Sequence, residues 1–348
     1  MYVMQRSFYV MFFCFSLCST LFPQEKSRSS HVSPLPPHAY EIPVLHHTAD
    51  GTTMRAQFEK ALSQAQRSIL IFTFSFSDMK FMEILNAKAE QGLGVTIIIN
   101  KDHIGPLMNF GHSALRIFTR RHGEGRVHHK ICVIDDQYVW IGSANLSTSG
   151  FSTQDNVMVE LKSARLADSL RREAAVFEGS CVREHAEVPT ANFGDQKAEL
   201  FLLPHWNFSQ NTVEEKMNKR GKQRLIGLIE QAKTSVQIAM MVWTDPELAT
   251  AVIAAHQRGV RVEILLHDLE DCQVNRMKQE GVVIMKNPKC VFMHNKLMLI
   301  DDRHLVNGSA NFSRSSFSRN DESFLMLTNL TDDQVVYMRA YWQYLVSF

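Results

Sequence analysis

A pattern of histidine, lysine, aspartate and asparagine occurs twice in the sequence with the same internal spacing. In each copy a His-x-Lys triplet precedes four apolar residues, an aspartate, six further residues and Gly-Ser-Ala-Asn, and the copies lie 166 residues apart (294 − 128). Alternate residues of an extended strand point to the same side, so each triplet would direct an imidazole and an ammonium group into one pocket. The candidate site residues are His128, Lys130, Asp135, Ser143 and Asn145 in the first copy and His294, Lys296, Asp301, Ser309 and Asn311 in the second.

Each cluster combines positive charge with neutral hydrogen-bond donors and suits a tetrahedral anion such as phosphate. If two clusters face each other, an imidazole lies on either side of the phosphorus. One neutral imidazole can then attack in line while the opposite imidazolium protonates the leaving oxygen. This pattern predicts phosphodiester chemistry through a covalent phosphohistidine, without a metal or another cofactor. The expected phosphate-binding residues are Lys130, Ser143, Asn145, Lys296, Ser309 and Asn311.

The segments before each motif also repeat, and they predict how the motifs are positioned. Apolar runs typical of buried strands begin at Ile69 and Val236, and a second pair begins at Val95 and Val262. Helical patterns separate the runs, and further helices are predicted over 164–177 and 332–346. Strand, helix and strand in succession favour a parallel sheet flanked by helices. We therefore predict an α/β fold with two similar lobes, 40–180 and 196–348, related by a pseudo-twofold axis, each with a mixed sheet.

The N-terminal residues differ from the rest of the chain. An uncharged, mostly apolar run extends from Phe8 to Phe22, and a polar segment with several prolines follows it. The run is short for a membrane span of about 20 residues. We interpret residues 1–25 as a signal peptide or an N-terminal membrane anchor and expect an exported protein.

Composition limits the partners only weakly. The chain has 348 residues, a formal net charge of +1 and 45% hydrophobic residues, an ordinary balance for a globular protein. Proteins that bind a phosphate backbone usually carry a basic excess, so the charge gives no overall reason to expect nucleic acid. Arg120, Arg121 and Arg126 precede the first motif, and we interpret them as a solvated basic edge. His46 and His47 are expected at the surface, and His129 is expected to point away from the pocket.

The two copies, HHKICVID with GSAN and HNKLMLID with GSAN, resemble the duplicated HKD motif of the phospholipase D superfamily. Members of this family hydrolyse or exchange phosphodiesters in lipids or nucleic acids. The resemblance spans residues 40–348, and it implies that Asp135 and Asp301 orient other groups and do not react themselves. Because one chain supplies both motifs, a homo-oligomer is not required for catalysis.

The copies differ where Asn156 aligns with Glu322 (322 − 156 = 166). The family resemblance implies that this position hydrogen-bonds a catalytic histidine. A carboxylate favours imidazolium and an amide does not. We therefore expect Glu322 to support His294 as the general acid and Asn156 to support His128 as the nucleophile, although Asp321 and Asp155, one residue earlier, could substitute.

The expected function is a phospholipase D that cleaves a glycerophospholipid at a membrane surface to phosphatidic acid and a free head group. A metal-independent endonuclease of the same superfamily is the first alternative, with nucleic acid as substrate. A phosphatidyl transferase similar to cardiolipin synthase is disfavoured, because the sequence lacks the extended hydrophobic spans of such relatives. A scaffold that binds phosphate or membrane without catalysis is also disfavoured, because both motif copies are intact.

Overall fold

A computed structural model describes residues 42–347, except 121–122, 124, 206–210 and 288–290. The strands are β1 Val44–His47, β2 Ser68–Thr73, β3 Gly94–Ile99, β4 Arg116–Phe118, β5 Lys130–Ile134, β6 Tyr138–Gly142, β7 Val157–Lys162, β8 Thr190–Phe193, β9 Gln196–Leu203, β10 Ser235–Met240, β11 Arg261–Leu266, β12 Val283–Lys286, β13 Lys296–Ile300, β14 His304–Gly308 and β15 Glu322–Thr328. The α-helices are α1 Thr53–Gln64, α2 Met79–Glu90, α3 Gly105–Phe110, α4 Ala164–Glu178, α5 Val213–Gln231, α6 Pro246–Gln257, α7 Cys272–Gln279 and α8 Asp332–Val346.

The first lobe contains a seven-stranded mixed sheet with the order β1-β7-β6-β5-β2-β3-β4. Strands β2, β3 and β4 are parallel, and β5 runs antiparallel to β2. The register places Lys130 opposite Thr73, so the start of β5 lies beside the end of β2. The first His-x-Lys triplet is thereby placed at the edge of the sheet where its parallel strands end.

The second lobe repeats this order in an eight-stranded sheet, β12-β11-β10-β13-β14-β15-β9-β8. Lys296 lies opposite Met240 in the antiparallel pair of β13 and β10, which reproduces the position of Lys130. Strand β8 has no counterpart in the first sheet among residues 42–347 that the structure describes; it joins β9 through Gly194, whose φ of 60° suits a tight turn. The second sheet therefore begins before residue 196, the boundary expected from the sequence. The prediction of an α/β fold with two similar lobes is confirmed.

The two lobes contain three hydrophobic cores, one shared between them and one in each lobe. Ile131 and Val133 of β5 pack in a central core with Leu297 and Leu299 of β13, and this core includes side chains of α4 and α8. Cys132 and Ile134 of β5 face an outer core beneath α1 and α2. A corresponding outer core lies beneath α5 and α6 in the second lobe. Because both faces of each strand are covered, the strands are nearly continuously apolar.

The predicted N-terminal signal or anchor, residues 1–25, lies outside the described residues. Among the helices that the structure does describe, none is long and apolar enough to span a membrane.

Candidate active site

Backbone hydrogen bonds connect the two lobes at the motif histidines. The amide of His128 donates to the carbonyl oxygen of Asp321 at 2.9 Å. The amide of His294 donates in the same way to the carbonyl oxygen of Asp155 at 3.0 Å. Each histidine therefore lies next to the residue that precedes the aligned acid or amide of the opposite lobe.

Glu322 of the second lobe binds His128 of the first. Its Oε2 lies 2.8 Å from Nδ1 of His128 and accepts a hydrogen bond from the Ser309 hydroxyl at 2.6 Å. Its Oε1 accepts from the Ser316 hydroxyl and from the Asn320 amide. Although Glu322 is fully buried, which alone would raise its pKa, the imidazole and other donors around it lower that pKa to about 2. A buried, ionised carboxylate therefore orients His128.

Asn156 of the first lobe binds His294 of the second. Its Oδ1 lies 3.0 Å from Nδ1 of His294. The Asn156 amide nitrogen donates to the Gly150 carbonyl oxygen, and the Ser143 hydroxyl donates to Oδ1, so the direction of the amide is fixed. Because an amide oxygen only accepts, Nδ1 of His294 carries a proton, and its Nε2 is the ring nitrogen available to react.

The expected pairing of Glu322 with His294, and of Asn156 with His128, is therefore wrong. Each partner crosses to the histidine of the opposite lobe. Alignment of the two copies identifies the position but contains no information about which lobe its side chain enters. The structure decides this because β7 and β15 begin at the interface, each beside the other lobe's motif.

Burial lowers the pKa of both histidines. The pKa of His128 falls to about 4, although the Glu322 charge opposes this decrease. Burial lowers the pKa of His294 well below its usual value, and the charges of Lys296 and Lys130 lower it further. Both imidazoles are therefore neutral near pH 7, and an anion bound between them would raise both pKa values.

Lys130 and Lys296 are 0% and 2% exposed, and each donates to the backbone carbonyl of the histidine in its own triplet, at 2.5 and 2.7 Å. Neither ammonium forms an ion pair with a carboxylate in the described part of the chain. Burial lowers the pKa of Lys130 to about 7, and burial together with the Lys130 charge lowers the pKa of Lys296 well below its usual value. The Glu322 charge acts on both lysines, and an anion bound beside them would stabilise their charged forms further.

Asn145 and Asn311 follow the paired glycines and serines of the motif. The Oδ1 atom of each is buried without a hydrogen-bond partner among the described residues. A side chain at Gly142 or Gly308 would lie 2.1 Å or 2.3 Å from a carbonyl oxygen of the adjacent strand, so only glycine allows this approach. The assignment of the two asparagines to phosphate binding stays a prediction.

The two motif serines orient the residues that hold the histidines. Ser143 donates to Asn156 and accepts from the amide of Val157, while Ser309 donates to Glu322 and accepts from the amide of Ser323. Both hydroxyls are fully buried. The binding of phosphate by these serines stays a prediction.

Asp135 and Asp301 also lie away from the histidines, at the other end of β5 and β13. Their backbone is left-handed, with φ of 52° in both, which aspartate tolerates in tight turns. The Asp135 carboxylate accepts from the amides of residues 66–68, and the Asp301 carboxylate accepts from the amides of residues 233–235. The groups that these two aspartates hold are the backbone amides before β2 and β10, and any part that they take in catalysis stays a prediction.

Other histidines are placed differently from the sequence expectation. His46 is 7% exposed, binds Glu160 and stacks on Trp140, and His47 is 3% exposed and stacks on Tyr341. Their expected surface location is therefore wrong, because β1 is covered by the central helix α8. His129 is buried against other core groups, as strand parity predicts.

Two aromatic side chains that the motif analysis missed lie beside the histidines. The ring of Phe74 is 5.2 Å from that of His128, and the ring of Phe292 is 6.0 Å from that of His294. Phe292 is 37% exposed. Their proximity to the histidines was predictable only in part, because Phe292 precedes His294 by two residues whereas Phe74 lies far from His128 in the sequence.

Within the described ranges, no group of three His, Cys, Asp or Glu side chains is spaced to hold a metal ion.

Comparison with known proteins identifies the domain in both lobes. The family model described as "Cardiolipin synthase, PLD-like domain" matches residues 58–176 and 225–342. Mitochondrial cardiolipin hydrolase of Xenopus tropicalis is 29% identical over 34% of this chain and 57% of its own length. The mouse protein of the same name is 27% identical over 30% of this chain and 49% of its own length. The chain thus spans about half the length of these curated relatives.

Other relatives align over most of the chain. Cardiolipin synthase B of Salmonella typhi is 24% identical over 81% of this chain and 75% of its own length. The crystal structure of phosphatidylserine synthase from Haemophilus influenzae has a TM-score of 0.64 at 12% identity, covering 87% of this chain and 85% of that one, which shows a shared fold. With the domain matched in both lobes, this chain belongs to the phospholipase D superfamily of phosphodiesterases and phosphatidyltransferases.

Proposed function

We propose that this protein is a phospholipase D that cleaves the head group from a glycerophospholipid through a covalent intermediate on His128. One observation carries the proposal: two histidines, each held at Nδ1 by the opposite lobe, lie beside two buried lysines that form no direct ion pair with a carboxylate among the described residues. Because Nδ1 is already bound in both rings, Nε2 is the nitrogen left to react.

In the first step, Nε2 of neutral His128 forms a bond to phosphorus, and the bond from phosphorus to the head-group oxygen breaks. His294, protonated once the phosphate is bound, transfers a proton from Nε2 to that oxygen. The His128 ring gains positive charge when Nε2 is phosphorylated, and the Glu322 carboxylate stabilises this charge. His294 has only an amide partner, which makes it the stronger acid.

In the second step, water attacks phosphorus and gives its proton to Nε2 of His294. The bond from phosphorus to His128 breaks, which restores the neutral His128 and leaves His294 protonated; His294 loses this proton when phosphatidic acid leaves. Lys130 and Lys296 stabilise the non-bridging oxygens throughout, together with the amides of Asn145 and Asn311. Such charge stabilisation and proton transfer each contribute about 10²- to 10³-fold in rate.

A lipid substrate is favoured by the names of the relatives, which are described as cardiolipin hydrolases and a cardiolipin synthase. Transfer of the phosphatidyl group to an alcohol is the second candidate, and the alignment with the synthase over most of both chains favours it. The two reactions share the first step and differ only in the acceptor. Cleavage of nucleic acid by the same chemistry is a third outcome of the test below.

The test incubates purified protein with labelled phosphatidylcholine, phosphatidylethanolamine, cardiolipin and single-stranded DNA, with a metal chelator present. We expect phosphatidic acid from a lipid, and added glycerol measures transfer as phosphatidylglycerol. The His128→Ala variant is the matched control for contaminating lipases. Cleavage of DNA alone, or no reaction that depends on His128, would overturn the proposal.

We also propose that the protein is exported and acts at a membrane surface, on the basis of the apolar run from Phe8 to Phe22. Fractionation of cells that express the protein with a C-terminal tag tests this. Recovery of the tag in the cytosol at full length would contradict it.

A further inference from the structure

Arg120 links the two lobes immediately before the first motif. Its guanidinium forms an ion pair with the Asp321 carboxylate of the second lobe and donates to the Arg126 carbonyl oxygen at 3.1 Å in its own lobe. The Arg120 side chain is 11% exposed, and that of Asp321 is 5% exposed. The sequence expectation of a solvated basic edge is therefore wrong for Arg120.

The other carboxylate oxygen of Asp321 is also occupied. It accepts a hydrogen bond from the amide of His205 at 2.9 Å. Nearby, Arg183 forms a buried ion pair with Glu173, and its charge acts on both Arg120 and Asp321. Asp321 is thus held by Arg120 of the first lobe and by the backbone amide of His205 in its own lobe.

These contacts lie where two backbone segments meet beside His128, the proposed nucleophile. Asp321 accepts the amide hydrogen of His128 at its carbonyl and immediately precedes Glu322. A Cβ atom at Gly125 would lie 1.6 Å from the Arg319 carbonyl oxygen, so the two segments approach as closely as backbones can. The Arg120 side chain bridges this approach, and a shift between the segments would move His128 relative to Glu322.

The opposite half of the site is held differently. Asp155 occupies the position equivalent to Asp321 (321 − 155 = 166), and its carboxylate interacts with the hydroxyl of Tyr344 and lies near Tyr341. The equivalent carboxylates therefore meet different groups in the two halves, the Arg120 guanidinium at Asp321 and the Tyr344 hydroxyl at Asp155.

We propose that Arg120 is a positioning residue that, by bridging Asp321 and the carbonyl of Arg126, sets the alignment of His128 with Glu322. The proposal deepens the proposed function, since it concerns the histidine assigned there as nucleophile. It predicts that the guanidinium acts on the geometry of the pair and does not touch the substrate.

The test compares Arg120→Met with Arg120→Lys and with the control Arg116→Met, which removes an exposed surface arginine that pairs with Glu178. A nitrogen-bound proton between an imidazole and a carboxylate gives a downfield NMR signal, which Glu322→Gln assigns by removing it. We expect Arg120→Met to weaken or shift this signal and to lower kcat about 100-fold with KM changed less than about threefold. Arg120→Lys should recover part of both effects, and Arg116→Met should change neither.

Asp321→Asn provides a second route if Arg120→Met does not fold. It should reproduce the shift of the downfield signal, whereas Asp155→Asn should leave the signal in place. An unchanged signal in Arg120→Met, or a rise in KM with kcat retained, would overturn the proposal, the latter because Arg120 would then bind substrate. The NMR measurement uses protein without substrate, so it stands or fails independently of the reaction assigned under the proposed function.

Discussion

The Nδ1 atom of His128 lies 2.8 Å from Oε2 of Glu322, a residue 194 positions later in the chain. In the mirrored contact, His294 meets the amide oxygen of Asn156 and not a carboxylate. The two halves of the site are therefore alike in backbone but unequal in charge. This inequality is the physical basis for assigning different roles to the two histidines.

The covalent adduct is expected on His128. A nitrophenyl phosphodiester has a leaving group that departs almost without protonation, so His294→Ala should still form the adduct but hydrolyse it slowly, since the base for water is missing. His128→Ala should form no adduct with any substrate. Acid-quenched mass spectrometry measures this, and phosphate mapped to His294 in the His128 variant would reverse the assignment.

Exchanging the partners should move the two limbs of the pH profile separately. Asn156→Asp places a carboxylate beside His294 and raises its pKa, so the basic limb of kcat, which reports the complex with bound substrate, should move to higher pH. Glu322→Gln removes the group that opposes the fall of the His128 pKa to about 4, so the acidic limb should move to lower pH while kcat falls. Profiles with a soluble phosphodiester measure both shifts. Movement of the same limb in both variants would contradict separate roles.

Binding of an anion should be accompanied by proton uptake. Burial lowers the pKa of Lys130 to about 7, so at pH 8 much of this group is neutral until an anion restores its charge. Titration calorimetry with tungstate in buffers of different ionisation enthalpy measures the protons taken up, to which both histidines also contribute at pH 6. Lys130→Met should bind tungstate more weakly, and the number of protons lost relative to the original protein should be larger at pH 8 than at pH 6. Equal uptake by the two proteins at pH 8 would argue against a perturbed lysine.

Chelation of divalent metals should leave the rate unchanged, because cationic side chains take the role that metal ions have in other phosphoryl-transfer enzymes. The measurement uses EDTA and a soluble nitrophenyl phosphodiester, so that effects of metals on lipid surfaces are absent. Loss of activity that added metal restores would require a different mechanism.

Asp135→Asn should lower stability without removing catalysis. Its carboxylate accepts several backbone amides before β2, and weakening these bonds should cost about 1–3 kcal/mol in the free energy of unfolding. Thermal or urea unfolding measures this cost, and activity at 25 °C should stay within about tenfold of the original. A loss of activity as large as that of His128→Ala, in folded protein, would show that Asp135 takes part in catalysis.

The sequence was sufficient for those features that depend on local pattern. Period-two placement of His128 and Lys130 predicted a strand, and the repeat itself predicted two similar lobes with paired motifs. The partner of His128 was not predictable, because it depends on which lobe a strand enters after it crosses the interface. Exposure of Arg120 and His47 was misjudged for a related reason: both are covered by elements distant in sequence, and charge alone suggests the surface.

The crossed pairing has a consequence for how activity arises during synthesis. During translation, His128 and Lys130 are made before residues 321 and 322. A fragment that ends before these residues has the proposed nucleophile but neither the carboxylate that orients it nor the acid of the other lobe. Under the proposed function, we therefore expect neither a stalled translation product nor a proteolytic first half to cleave phospholipid.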